Sequence, residues 1–435
     1  MLVKFSVRNY KVFRDRAELS LVASSYDKET NRENIIEVPK FGLSLLKSAV
    51  VYGANASGKS KLIEALGYMR NFIHVSSKDS QKGDAIPVEP FRLSTVFENE
   101  PSEFEVTFIH KEVLYRYGFE ATQREIISEW LYYRPNTKEI ELFYRDHQII
   151  ELHKRSFSGI VSQLVKGNNI RENALLLSVA AQFNDERAGG VFDWFNKLRI
   201  TSGLDDEDYA RYTLEQTQQA DYKQIVLKLL QVADLGIQDF EVRTFERSKL
   251  PFSYLSHSQE DLKHEYQALE DEARTIHKKY NEENQEVGSV VFSLNDDESS
   301  GTQKFFAIVA PIIDALFDGS VFVVDELDAK LHPNLVCFLV DLFHSSSTNY
   351  NNAQLIFNTH DTNLLSSGNF RRDQIWFTEK DRYGAASLYS LADYKPRKGE
   401  NFERNYIEGR YGAIPFLGDF SRLFTQESVY ARTEE

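Results

Sequence analysis

The run Gly53-Ala54-Asn55-Ala56-Ser57-Gly58-Lys59-Ser60 constrains this chain more than any other feature, because it fills every fixed position of the phosphate-binding pattern G-x-x-x-x-G-K-[ST]. Its flanks supply the context such a loop needs. Ser48–Tyr52 reads as a short buried strand, and Leu62, Leu66, Met69 and Ile73 recur at helical spacing behind the loop. A strand, a glycine loop and a helix allow backbone N–H groups to close around a β-phosphate, while the helix N-terminus adds partial positive charge. Asn55, Gly58, Lys59 and Ser60 are the expected nucleotide contacts. Lys59 should reach the β/γ-phosphates and Ser60 should hold Mg²⁺. The run predicts a nucleoside triphosphate site.

The remaining composition sets bounds. At 435 residues the chain has room for two or three domain-sized units. No apolar stretch approaches the ~18 residues of a membrane span, and Met1–Val7 alternates like a strand rather than a signal peptide. Cys337 is the single cysteine, set in the apolar run Leu335–Phe343, so a buried inert thiol is expected and no disulfide or cysteine zinc site. These features predict a cytoplasmic protein without a membrane partner. The net charge of −15 opposes nonspecific nucleic-acid binding, which draws its affinity from Lys and Arg on phosphates.

Along the chain, residues 1–150 look β-rich outside the loop helix. Phe104–Ile109, Leu114–Phe119, Ile127–Tyr133 and Ile140–Tyr144 read as successive antiparallel strands. Residues 151–285 turn largely helical, as in Asn173–Phe183 and Tyr222–Val232, and are expected to form a lid inserted into the fold. Asp205–Asp208 reads as a solvated loop, and the acidic stretch 258–286 as a solvated helix or hairpin without sustained heptads. From 286 to 435 strand–helix alternation returns: Val287–Leu294, a helix over 303–316, Val321–Val324, a helix over 333–343 and Leu355–Asn358. That alternation predicts a parallel sheet covered by helices.

The second segment carries the rest of a hydrolytic site. Val321-Phe322-Val323-Val324-Asp325-Glu326 is an apolar strand ending in two carboxylates. Asp325 is expected to complete the Mg²⁺ shell and Glu326 to polarise the attacking water as general base. Upstream, Glu298-Ser299-Ser300-Gly301-Thr302-Gln303 precedes an amphipathic helix and offers a second anion-binding surface; the same residues also read as a simple helix cap. Downstream, Gln354–Asp361 is another apolar strand, with His360 at its end placed to sense a γ-phosphate.

This ordered set resembles the ABC-type ATPase heads of the SMC-like group, which includes MutS and the overcoming-lysogenization-defect nucleases. Walker A is 53–60, the signature-like element 299–304 and Walker B 321–326. The D-loop begins at 327, and His360 is the switch histidine. Leu2–Phe13 looks like the opening strand and N-F-R-x-F turn of such heads, with Lys11 where relatives often carry a phosphate-contacting arginine. The signature reads Ser-Gly-Thr-Gln rather than Ser-Gly-Gly-Gln, and Pro87–Leu93, where a Q-loop glutamine belongs, has none. The run Glu326–Pro333 and the tail Glu408–Phe416 look like the bacterial AAA family ATPases related to RloA and to AriA of the PARIS anti-phage defence system.

The resemblance implies an α/β fold: an ABC-type P-loop head with an antiparallel β subdomain and an inserted helical lid, using ATP and Mg²⁺. It implies a homodimer or higher homo-oligomer in which two heads sandwich two ATPs, Ser300 and Gly301 completing the partner's site. Two outputs compete. In one the ATPase senses a phage trigger and controls a separate nuclease effector. In the other it is a DNA-repair or DNA-structuring ATPase acting directly on nucleic acid. Acidity and the absence of long coiled-coil arms favour the first. After His360 the chain reads as a strand pair (Gln374–Phe377, Ala386–Leu391) and a Gly-aromatic tail. Asp373, Asp381 and Asp393 there are too scattered for a metal cluster, so the chain is expected not to cut nucleic acid itself.

Overall fold

The computed structural model describes the chain apart from residues 26–29, 79–80, 154–156, 203–205, 234, 247–268, 398 and 416–435. Strands and helices are numbered in chain order. β1 (Leu2–Arg8) and β2 (Ala17–Ser20) form one end of an antiparallel sheet. It continues through β6 (Ser102–His110), β7 (Val113–Ala121), β8 (Ile126–Arg134), β9 (Ile140–Asp146) and β10 (Ile149–Leu152). Alternation of buried Phe104, Val106 and Phe108 along β6 turns one face of this sheet inward. A small hairpin, β3 (Ile35–Val38) with β4 (Leu43–Leu46), leads into β5 (Ser48–Tyr52).

β5 lies within a second sheet whose order is β11 (Arg199–Ser202), β15 (Val321–Asp325), β16 (Gln354–Asn358), β5, β17 (Ile375–Lys380), β18 (Ala386–Ser390). Every pairing is parallel except that of β18 with β17. All residues of β5 and β16 are buried, as expected of strands covered on both faces. One face packs on α1 (Lys59–Val75), which buries Leu62, Leu66, Met69 and Ile73, and on the antiparallel sheet beyond it. The other packs on α7 (Ser300–Asp318) and α8 (Pro333–His344). Among the described residues no helix is long and apolar enough to cross a membrane.

The segment 151–285, expected as a largely helical lid, holds five helices together with three strands among the described residues. α2 (Gly159–Lys166), α3 (Leu176–Gln182) and α4 (Glu186–Lys197) pack into the core between the two large sheets, where Trp194 stacks on Phe108 at 4.1 Å. α3 is fastened by a buried carboxylate: Leu176 and Leu177 N–H donate to Glu129, which also accepts from Tyr117 and faces the buried Arg145 at 3.7 Å. β11 then joins the parallel sheet as its edge, and α5 (Asp206–Gln216) and α6 (Ala220–Val232) pack toward α7. β12 (Ile237–Glu246), β13 (Leu269–Tyr280) and β14 (Glu286–Ser293) make an antiparallel sheet of their own. The boundary expected at 286 therefore falls in the β13–β14 hairpin, and β14 does not belong to the parallel sheet. Of the acidic run, Asp205 and residues 258–268 lie outside the described residues, and Asp206 opens a helix instead of a loop. The short α9 (Asn363–Ser366) and α10 (Phe402–Ile407) complete the chain.

Candidate nucleotide site

The loop between β5 and α1 is shaped by positive φ at Gly53 (156°), Ala56 (61°) and Gly58 (122°). Gly53 is also a close approach: a Cβ there would lie 2.5 Å from the Thr378 carbonyl oxygen and from Ser57 Oγ. Gly58 caps α1 without a side chain, so the first-turn N–H groups have no capping acceptor and remain for an anion. Ser57 Oγ and Thr378 Oγ1 are 2.6 Å apart, which ties the loop to β17. The buried Lys59 folds back on its own loop, Nζ donating to the carbonyls of Gly53 (2.8 Å) and Ala54 (3.2 Å). Burial pushes the Lys59 pKa down, and the carboxylates of Glu326, Asp325 and Asp328 oppose that shift.

Loop residues 55–61 open on a cleft of about 630 Å³ completed by Val12, Glu326, His360 and Lys380. The carboxylates at the end of β15 are set by Asn358 on the neighbouring β16. Its Oδ1 accepts the Glu326 N–H at 2.5 Å, and its Nδ2 donates to Asp325 Oδ1. His360, exposed at the end of β16, is positioned by its backbone N–H, which donates to Asp328 Oδ2 at 3.1 Å. Asn55, Gly58, Lys59, Ser60, Glu326 and His360 thus line one cleft, with Asp325 adjoining Glu326 and bonded to Asn358.

Ser60 and Asp325 are hard oxygen donors of the type Mg²⁺ takes from a P-loop, where substrate phosphates and water fill the remaining positions. Among the described residues no group of three or more His, Cys, Asp or Glu could hold a metal by itself, so a metal here depends on such a shared shell. The donor set fits the ion.

Three expected contacts are not brought to this cleft. Lys11 turns to α1 and to the 87–93 segment, pairing with Glu64 and, at 3.2 Å, with Glu89; two carboxylates hold its charge away from the loop. That segment, where a Q-loop belongs, instead fastens the N-terminal turn, with Phe91 N–H donating to Asn9 Oδ1 at 3.0 Å. Ser300 is exposed at the start of α7, and neither it nor Gly301 lines the cleft of its own chain. There Ser299 is the cap, its Oγ accepting Thr302 N–H at 3.1 Å.

Asn358, Thr378, Lys380 and Asp328 were not singled out from the sequence. Asn358 stands two residues before His360 at the end of β16, and Thr378 and Lys380 extend β17 beyond Phe377, where the sequence pattern ends that strand.

Fold and cleft together define a P-loop ATPase of the AAA/ABC type. The family model described as "AAA domain, putative AbiEii toxin, Type IV TA system" matches residues 48–366, and the chain belongs to that family. A comparison with curated proteins returns no match.

Proposed function

We propose that this chain binds ATP with Mg²⁺, hydrolyses it between two paired heads, and uses the resulting closure to control a separate nuclease effector in an anti-phage defence system, as a relative of RloA and AriA. The observation that carries the reading is the convergence of Lys59, Ser60, Glu326 and His360 on one cleft. Lys59 and the loop N–H groups bind and orient the phosphates. Glu326 takes a proton from water as its oxygen forms a bond to the γ-phosphorus; the bond to the β-phosphate oxygen breaks and ADP leaves. His360 steadies the γ-phosphate oxygens. Ser60 and Asp325 would hold Mg²⁺, which when bound would supply charge neutralisation at the phosphates.

The defence role is supported by the toxin–antitoxin wording of the family description and by the acidity of the chain. A separate effector is supported by the fate of the late carboxylates. Asp373 pairs with Arg371 at 2.8 Å, Asp381 accepts Tyr383 N–H at 2.8 Å, and Asp393 accepts Ser390 N–H at 3.0 Å. Each is engaged in a structural contact, and Asp373 also accepts the Ser24 N–H at 2.6 Å.

One preparation tests both halves. Wild-type protein should turn over ATP and leave DNA and RNA intact. Glu326→Gln should retain ATP while turnover falls at least about a hundredfold, the usual worth of a general base. A variant hydrolysing at the wild-type rate rejects the base assignment. Cleavage by the isolated chain, abolished by a point mutation within it, rejects the separate effector.

A further inference from the structure

We propose that Lys380 is a nucleotide-binding residue that contacts the α-phosphate end of the ligand, making this cleft lysine a determinant of ADP and ATP affinity alike. The inference rests on the nucleotide reading above.

The argument begins with the sheet order. β15 and β16, which deliver Glu326 and His360, lie on one side of β5, and β17, which delivers Lys380, lies on the other. The γ-phosphorus has to sit beside the general base. A nucleotide cradled by residues 55–61 therefore runs away from Glu326, and what it presents on the β17 side is its α-phosphate and nucleoside. An ammonium suits the first of these.

Lys380 is held for that task through its strand. Thr378, two residues earlier and so on the same face of β17, is the residue bonded to Ser57 of the loop. Across the strand pair, Lys380 is in register with Ala386, whose N–H donates to the Val12 carbonyl at 2.8 Å. A Cβ on Gly58 would meet Ala386 at 3.1 Å and Val12 at 3.3 Å, so this corner is packed against the loop. The carboxylates flanking Lys380 in sequence are engaged elsewhere. Glu379 accepts from the Tyr389 hydroxyl at 3.1 Å, and Asp381 accepts the N–H groups of Tyr383 and Ala385. Among the described residues no carboxylate pairs with Lys380 itself. A half-buried ammonium without an internal counterion, opening on a phosphate cradle, is matched by an anionic ligand.

The test compares fluorescent ATP and ADP analogues on wild type, Lys380→Gln, Lys380→Arg and Lys59→Ala. Lys380→Gln should weaken both nucleotides by the same factor, about tenfold or more for one charge-assisted contact. Lys380→Arg should recover most of that loss. Acylation footprinting of the wild-type protein supplies a readout independent of any variant's folding: ADP should protect Lys380 from an amine-reactive reagent. Unchanged affinity in Lys380→Gln, a loss confined to ATP, or reactivity of Lys380 that ADP leaves undiminished would each overturn the assignment. Lys59→Ala should lose both nucleotides. Wild-type protein that binds neither removes the nucleotide reading itself, and this inference with it.

Discussion

Glu326 adopts φ 56°, a left-handed conformation that costs a residue with a Cβ on the order of 1 kcal/mol or more. It is kept there by Asn358, which holds the Glu326 amide and the Asp325 carboxylate together, so one amide side chain positions both acids. A comparable polar knot closes the opposite end of the parallel sheet. Gln374 Nε2 donates to Ser48 Oγ at 2.7 Å, and the Ser48 hydroxyl lies 2.7 Å from His344 Nε2. Lys47, itself buried, donates to the His344 carbonyl and opposes a positive imidazole. Burial, with Lys47 adding to it, pushes the His344 pKa down to about 3. An unfolded imidazole takes its proton near pH ~6.5. Between those values the unfolded state binds the extra proton, so stability is full above pH ~6.5 and is lost as pH falls, by up to about 1.4 kcal/mol per pH unit. His110, lowered to about 4 chiefly by burial, acts in the same direction. Urea midpoints should drop between pH 7 and pH 5, and His344→Gln should flatten the decline. A wild-type midpoint that holds steady over that range contradicts a neutral buried His344.

α7 carries Pro311 in its interior, where the missing N–H leaves the Ala307 carbonyl without its helical donor. Thr213 on α5 fills the gap, its Oγ1 donating to Ala307 O at 3.2 Å, and Tyr222 on α6 donates to the Ala310 carbonyl at 3.0 Å. This buried helix thus tolerates proline because a neighbouring helix satisfies the carbonyl that the proline leaves open. Thr213→Val keeps the shape and leaves that carbonyl unpaired, so stability should fall by about 1–3 kcal/mol in chemical denaturation; an unchanged midpoint would show the bond to be dispensable. Helix α7 was legible from the spacing of Phe305, Val309, Ile312 and Leu316, as were β5, the loop and α1, because their signals are local and periodic. What decides Thr213 is a contact across 94 residues, and no window of sequence contains it. β11 was missed for the same reason: four residues, Arg199–Ser202, become a strand only by pairing with Phe322–Asp325. In the cleft, Asn55, Gly58, Lys59, Ser60, Glu326 and His360 are written into motifs and were readable, whereas Lys11, Ser300 and Gly301, read the same way, lie outside it. Asn358, Thr378 and Lys380 work through register between strands, and so they were not readable.

Across the whole head, the cleft and the expected signature serine lie on different surfaces. The cleft lies at the ends of β5, β15 and β16, while Ser300 is exposed at the start of α7 and outside that cleft. If hydrolysis needs both, a second copy has to bring its own Ser300 to the γ-phosphate, and each copy does this for the other, as two-fold symmetry requires. The variant that tests the arrangement has to spare the chain that carries it. Gly301 is a poor choice, since a Cβ there would lie 2.9 Å from the Lys330 carbonyl, within the loop that follows Asp325 and Glu326. Ser300 is exposed, so Ser300→Glu places a repelling charge against the partner's phosphates without disturbing its own fold. Lys59→Ala and Ser300→Glu should each be nearly inactive as ATPases. Mixed in equal amounts with exchange complete, half of the dimers combine the two proteins, and each of those holds one intact composite site. Activity should return to about a quarter of wild type. Mixtures that stay inactive while labelled subunits demonstrably exchange would confine catalysis to a single head and leave Ser300 as no more than the first residue of α7.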